Sequence, residues 1–185
     1  TEVVPVVATM AQGRKPARPC SECHMIGGAG VPATAALASL PKAYILEQIA
    51  AFRAGQRGMG GPATAHGMAE EARGLTPADL QQAVDYFSAT KFVPHVRVVE
   101  TARVPRTHWK FFVLVPDPGG ASEPIGARII ETPVKFVDYS LSDGRGGYVA
   151  YVPPGSIARG ASIAAKGTGA APACESCHGA RLQGV

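Results

Sequence analysis

The chain has 185 residues, a length that suits one or two small domains. Hydrophobic residues make up 46%, enough for a packed core, yet no apolar run approaches the roughly 18 residues that a membrane span needs. Charged residues are sparse at 17%, and the 18 Lys and Arg behind the net charge of +4 are scattered, which argues against a disordered or nucleic-acid-coating chain and reads as solvated surface charge.

Taken in order, the chain opens at Thr1 rather than Met, as an exported protein does once its signal peptide is cut, and as a fragment also does. Val3 to Ala11 reads as a short apolar stretch before the first motif, with Pro5 compatible only with a first helical turn. CSECH follows, Cys20 to His24, and then a loop rich in Gly and Ala that contains Pro32. PKAYILEQIAAFRAG predicts a helix: Pro41 suits its first position, Ile45, Ile49 and Phe52 form one apolar face, and Gly55 suits its C-terminal cap. Met59, His66 and Met68 fall in a predicted loop. A last helix starts at LTPADLQQAVDYFSAT, with Thr76 as N-cap, Pro77 at the first position and Asp79 three residues after the cap. Leu80, Val84 and Phe87 then share a face.

From Lys91 to Pro154 the pattern changes. HWKFFVLVPDPGG alternates, with Trp109, Phe111, Val113 and Val115 on one face, Lys110 and Phe112 on the other, and PDPGG as a turn. GARIIETP, VKFVDYSL and GYVAYVPP read as further short strands, the last two separated by SDGRGG. A small antiparallel sheet is expected. The segment has no cysteine, no metal-ligand spacing and no nucleophile–base pair. A second motif, CESCH, runs from Cys174 to His178.

All four cysteines lie in two C-x-x-C pairs. Disulfides, a zinc held by four thiolates, and covalent haem compete for that spacing. The residue after each pair decides. His24 follows Cys23 and His178 follows Cys177, in a chain with five histidines. A four-cysteine zinc site has no use for both histidines, whereas haem attachment uses each cysteine for one thioether and the histidine as an iron ligand. The motifs also extend into a repeat. From position 20 to position 174 the shift is 154, and the same shift lays Ala11 on Ala165, Gly13 on Gly167, and Gly30 and Val31 on Gly184 and Val185. The first copy continues for about 60 residues past Val31 and the second stops there, so the natural protein is expected to extend beyond Val185. The other reading is a degenerate second site in a short protein.

A short helix, C-x-x-C-H, a Gly-rich loop with Pro32, the Tyr44 to Arg57 helix and the Leu75 to Phe87 helix resemble class I cytochromes c, in particular the bacterial two-domain dihaem type. The resemblance covers residues 10 to 90 and again 158 to 185. It implies a mainly α cytochrome c fold, complete in a first unit (1–90) and incomplete in a second (156–185), joined by a β-rich insert (91–155), α+β overall. It implies two haems c, bound through Cys20, Cys23, Cys174 and Cys177, with His24 and His178 on the irons. It points to the backbone carbonyl of Pro32 as the partner of His24. In the family the sixth ligand is a methionine that favours reduced iron. MAEEARGL resembles the family's ligand stretch, which points to Met68, with Met59 as the alternative and His66 as a lesser one. No methionine follows His178, and His95 and His108 are formal alternatives there.

The function implied is electron transfer between redox partners whose identity the sequence does not give. The chain is expected to act as a carrier or as a subunit of a membrane-associated complex, not as an enzyme, and in the periplasm, because covalent haem attachment in bacteria happens outside the cytoplasm. A haem enzyme of the peroxidase or sulfur-compound dehydrogenase kind, using an open second haem, is the alternative. A haem-based sensor lacks any visible signalling domain. The insert is expected to be a structural bridge, or else a docking surface for a partner.

Overall fold

The computed structural model describes residues 6–58, 63–141 and 146–182. Five helices come first: α1 (Ala8–Ala11), α2 (Cys20–His24), α3 (Lys42–Arg53), α4 (Ala63–Gly74) and α5 (Pro77–Ala89). Thr76 caps α5 as expected. Its hydroxyl accepts from the Asp79 backbone N–H and the Asp79 carboxylate accepts from that of Thr76, with Pro77 opening the helix. α3 ends before Gly55, whose φ of +70° is the left-handed turn a C-cap needs. The apolar spacings meet in one core of Met10, Ile45, Ile49, Ala72, Val84, Tyr86 and Phe87. Each large apolar side chain so buried contributes roughly 1.5–3 kcal/mol. The α4 segment departs from expectation, since Met68 sits on a helix and not in a loop. Arg53 accounts for its anchoring: its guanidinium donates to the Ala72 and Leu75 carbonyls at 2.7 and 2.8 Å, tying the end of α4 to α3.

The second region holds β1 (Val96–Glu100), β2 (Arg103–Pro105), β3 (Thr107–Lys110), β4 (Val113–Pro116), β5 (Ser122–Pro124), β6 (Ile130–Pro133), α6 (Phe136–Ser140) and β7 (Tyr148–Val152). In place of one antiparallel sheet there are three small ones, ordered β1-β7-β6, β2-β5 and β3-β4. The first is mixed: β1 pairs with β7 in parallel and β6 pairs with β7 antiparallel. Proline explains the fragmentation, because β2, β4, β5 and β6 each end on one, which has no N–H to continue a ladder.

Two expectations within this region are corrected. HWKFFVLVP is a hairpin with a two-residue turn at Phe111–Phe112, so Trp109 pairs with Leu114 and does not share the face of Val113 and Val115. VKFVDYSL forms α6 instead of a strand, because one helical turn carries Phe136 and Tyr139 together onto a second core of Met25, Val31, Val113, Val115 and Tyr148. Part of SDGRGG lies outside the described residues. Last come α7 (Ser156–Lys166) and α8 (Glu175–His178), neither with a buried residue. Among the described residues no helix is long and apolar enough to cross a membrane.

Candidate haem-binding site

The first motif is wound by its own backbone. Gly13, at φ +64°, lets the chain turn back on itself, and a Cβ there would stand 2.6 Å from the backbone of Arg18 and Pro19. The turn closes with the Arg14 N–H donating to the Ala17 carbonyl at 3.0 Å. α2 then carries Cys20 and Cys23 three residues apart, hence on one side, with His24 directly after them. The Ser21 hydroxyl donates to the buried Met10 carbonyl at 2.7 Å and locks α2 to α1. All four thiols of the chain are free, and burial pushes the Cys20 thiol up to about 11 and raises that of Cys23. Among the described residues no three His, Cys, Asp or Glu side chains converge as a metal site, which leaves the four-thiolate zinc reading without geometry.

Beyond His24 the loop reverses. Thr34 donates to the Cys23 carbonyl at 2.6 Å and accepts from the Val31 N–H at 2.9 Å. The resulting turn from Val31 to Thr34 exposes Pro32 and brings a later carbonyl round to the imidazole. His24 Nδ1 lies 2.8 Å from the carbonyl of Ala35. This corrects the expected partner: it is Ala35 and not Pro32, because Pro32 occupies the corner of the turn. As donor to that carbonyl, Nδ1 leaves Nε2 with the lone pair. Burial lowers the pKa of His24, against the opposing pull of the Ala35 hydrogen bond, and so favours neutral imidazole. The ring meets Phe87 edge-on at 6.1 Å.

Two free thiols on one side of a turn, with a half-buried imidazole presenting Nε2, fit a covalently attached porphyrin. Cys20 and Met68 both pack against the first core, where Phe87 also sits. Met59 lies outside the described residues, as does the side chain of His66. His95 and His108 belong to the β region, His95 against Phe92 and Tyr148 and His108 against Asp117 at 2.8 Å. Thr34, Ala35 and Ser21 escaped the sequence reading. Two act through main-chain partners that any hydroxyl or any carbonyl supplies, and Ala35 acts through its backbone alone.

A family model of cytochrome c matches residues 11–91. Residues 11–91 are a cytochrome c domain. This class I c-type cytochrome domain implies covalently bound haem c and electron transfer, which Cys20, Cys23 and His24 fit. No curated protein matches the chain. Among solved structures the chain is similar to a thiosulfate dehydrogenase (TsdBA) from Marichromatium purpuratum in its "as isolated" form, at a TM-score of 0.50 and 24% identity. The match covers 93% of this chain but 26% of that one, so the chain spans about a quarter of that protein, and the likeness is one of fold.

Outside the cytochrome c domain, the second motif repeats the backbone of the first. Gly167 at φ +72° stands where Gly13 stands, Gly179 at +77° where Met25 has +61°, and Leu182 at +53° where Gly28 has +66°. The Thr168 N–H donates to the Ala171 carbonyl at 2.8 Å, and the Leu182 N–H to the Gly179 carbonyl at 2.8 Å, as Arg14 does to Ala17 and Gly28 to Met25. Cys174, Cys177 and His178 are exposed.

Proposed function

We propose that the chain is a dihaem c-type cytochrome that passes electrons between redox proteins outside the cytoplasm, in the periplasm or at a membrane-associated complex, without catalysis or nucleic-acid binding of its own. The observation that carries this reading is the recurrence, at one shift, of three left-handed positions and their hydrogen bonds around both C-x-x-C-H motifs. Two segments of different sequence are wound into the same anchor. Bound covalently, haem supplies an iron that takes up and releases one electron.

The chain's own residues do the rest. Cys20 and Cys23, and by the repeat Cys174 and Cys177, hold the group. His24 and His178 present imidazole to the iron, the first fixed in tautomer by Ala35. Met68, on α4 against the core that Cys20 touches, would supply a thioether sulfur to the iron, a ligand that favours the reduced form. The β region, packed on Met25 and Val31 beside the first motif, is the bridge between the anchors.

Intact mass and a haem-to-protein ratio on the purified protein test this. Two haems per chain are expected, one after Cys174→Ser with Cys177→Ser, and a carbon-monoxide-reactive first iron after Met68→Ala. A single haem in the unmodified chain overturns the dihaem reading. A second reading, a haem enzyme acting at an open second site, is favoured by the exposure of His178, whose ring has no partner among the described residues. Turnover of a sulfur oxyanion such as thiosulfate, with carbon monoxide binding at the second haem, would select it over the carrier.

A further inference from the structure

The β3–β4 hairpin carries a feature that the haem anchors do not use. Its two-residue turn is Phe111–Phe112, at a place where Gly and Asn are favoured. Phe111 has φ +56°, a conformation that strains a bulky side chain. The strain is not offset by burial, since Phe111 is 76% exposed and Trp109 is 68% exposed. The tip is nevertheless held firmly from behind. The Phe111 ring is stacked on Phe136, 6.5 Å between centroids and 7° from parallel, and the Phe112 N–H donates to the Tyr139 hydroxyl at 3.4 Å. α6 and its C-cap add Val137 and Leu141, both more than half exposed. Two cations flank these rings: Lys110 Nζ lies 4.2 Å from the centroid of Phe136, and Lys135, also exposed, directly precedes it. The one acid on α6, Asp138, is half-buried.

We propose that this hairpin tip inserts into the interface of a lipid bilayer bearing anionic headgroups. A strained, braced turn that projects Trp and Phe is a wedge and not a flat patch, and such rings settle at the boundary between headgroups and acyl chains. Lys110 and Lys135 then face the lipid phosphates, which a neutral surface would not reward. The tip also adjoins the first motif, because Val113 and Val115 of the same hairpin share a core with Met25, the neighbour of His24. Binding in this way would hold the cytochrome c domain against the membrane face.

The test is flotation of the haem-loaded full chain with phosphatidylcholine vesicles, with and without phosphatidylglycerol, read by haem absorbance. Roughly thirtyfold stronger partitioning onto the anionic vesicles is expected from two lysines. Phe111→Gly should release the protein from them. Glycine takes the φ of this position freely, so an unchanged melting temperature separates lost binding from lost folding. Trp109→Ser should act in the same direction. Equal partitioning with and without anionic lipid overturns the proposal, and so does full binding by Phe111→Gly. Self-association of the chain that Phe111→Gly abolishes, without vesicle binding, would assign the tip to a second copy and overturn it as well.

Discussion

The two copies of the cysteine–histidine motif have the same turn and different surroundings. In the first, Met10 of α1 is wholly buried and Ser21 of α2 donates into α1, so the motif rests on a core that reaches Phe87 of α5. In the second, Ala164 stands in the place of Met10 and Glu175 in the place of Ser21, and α7 buries none of its 11 residues. The turn is therefore a local property, written by glycines and short-range hydrogen bonds, while the shielding of the motif is long-range and has to be built by other helices.

Breaking the shield of the first copy should have the largest effect. Phe87→Ala removes a ring that is 2% exposed and touches the His24 imidazole, and should cost the cytochrome c domain about 3–5 kcal/mol in denaturant unfolding. The second copy, which does not pack on Phe87 among the described residues, should keep its haem. Equal losses at both sites would refute the contrast.

The turn itself can be sharpened next. Gly13→Ala and Gly167→Ala each force a side chain into the left-handed region, at roughly 1–2 kcal/mol of strain. A Cβ would also meet backbone at both positions, at 2.6 Å at Gly13 and closer still, on the Ala171 carbonyl, at Gly167. Gly13, however, lies close to the core that buries Met10, whereas α7 and α8 bury none of their residues. Gly13→Ala should lower the thermal midpoint measurably and Gly167→Ala should not, although both should slow haem attachment at their own site.

The smallest effect concerns α5, which covers the first copy alone. Thr76→Ala should cost about 1 kcal/mol. Asp79 adds a pH dependence. Its carboxyl is held below the usual range, first by the Thr76 hydroxyl and further by Arg14, whose guanidinium lies 3.0 Å away. A depressed folded pKa contributes stability above the ordinary carboxylate value and loses it as pH falls below about 4. Thermal melts of the first copy should therefore weaken with acid in that window, and Asp79→Asn should flatten the slope.

Much of this was legible in the residues because it is local. The α5 cap, the α3 face of Ile45 and Ile49, and the left-handed Gly55 each follow from a few neighbouring residues and reappear in the structure. What escaped depends on distant partners. α4 is fastened by Arg53, whose carbonyl partners give no sequence signal. Ala35 replaced Pro32 because Thr34 pulls the loop tight, and a carbonyl carries no residue identity. The alternation in HWKFFV looked like one strand because two phenylalanines hid a turn that Gly or Asn would have announced.

The parallel pairing of β1 with β7 has a consequence of its own. β1 receives the chain from α5, and β7 delivers it, side by side and in the same direction, to α7. Entry and exit therefore lie at opposite ends of the pair, and the chain between them packs back onto it, with Val113 and Val115 of the β3–β4 hairpin sharing a core with Tyr148 of β7. One strand length, at about 3.3 Å per residue, therefore separates the point where the chain enters β1 from the point where it leaves β7 for α7.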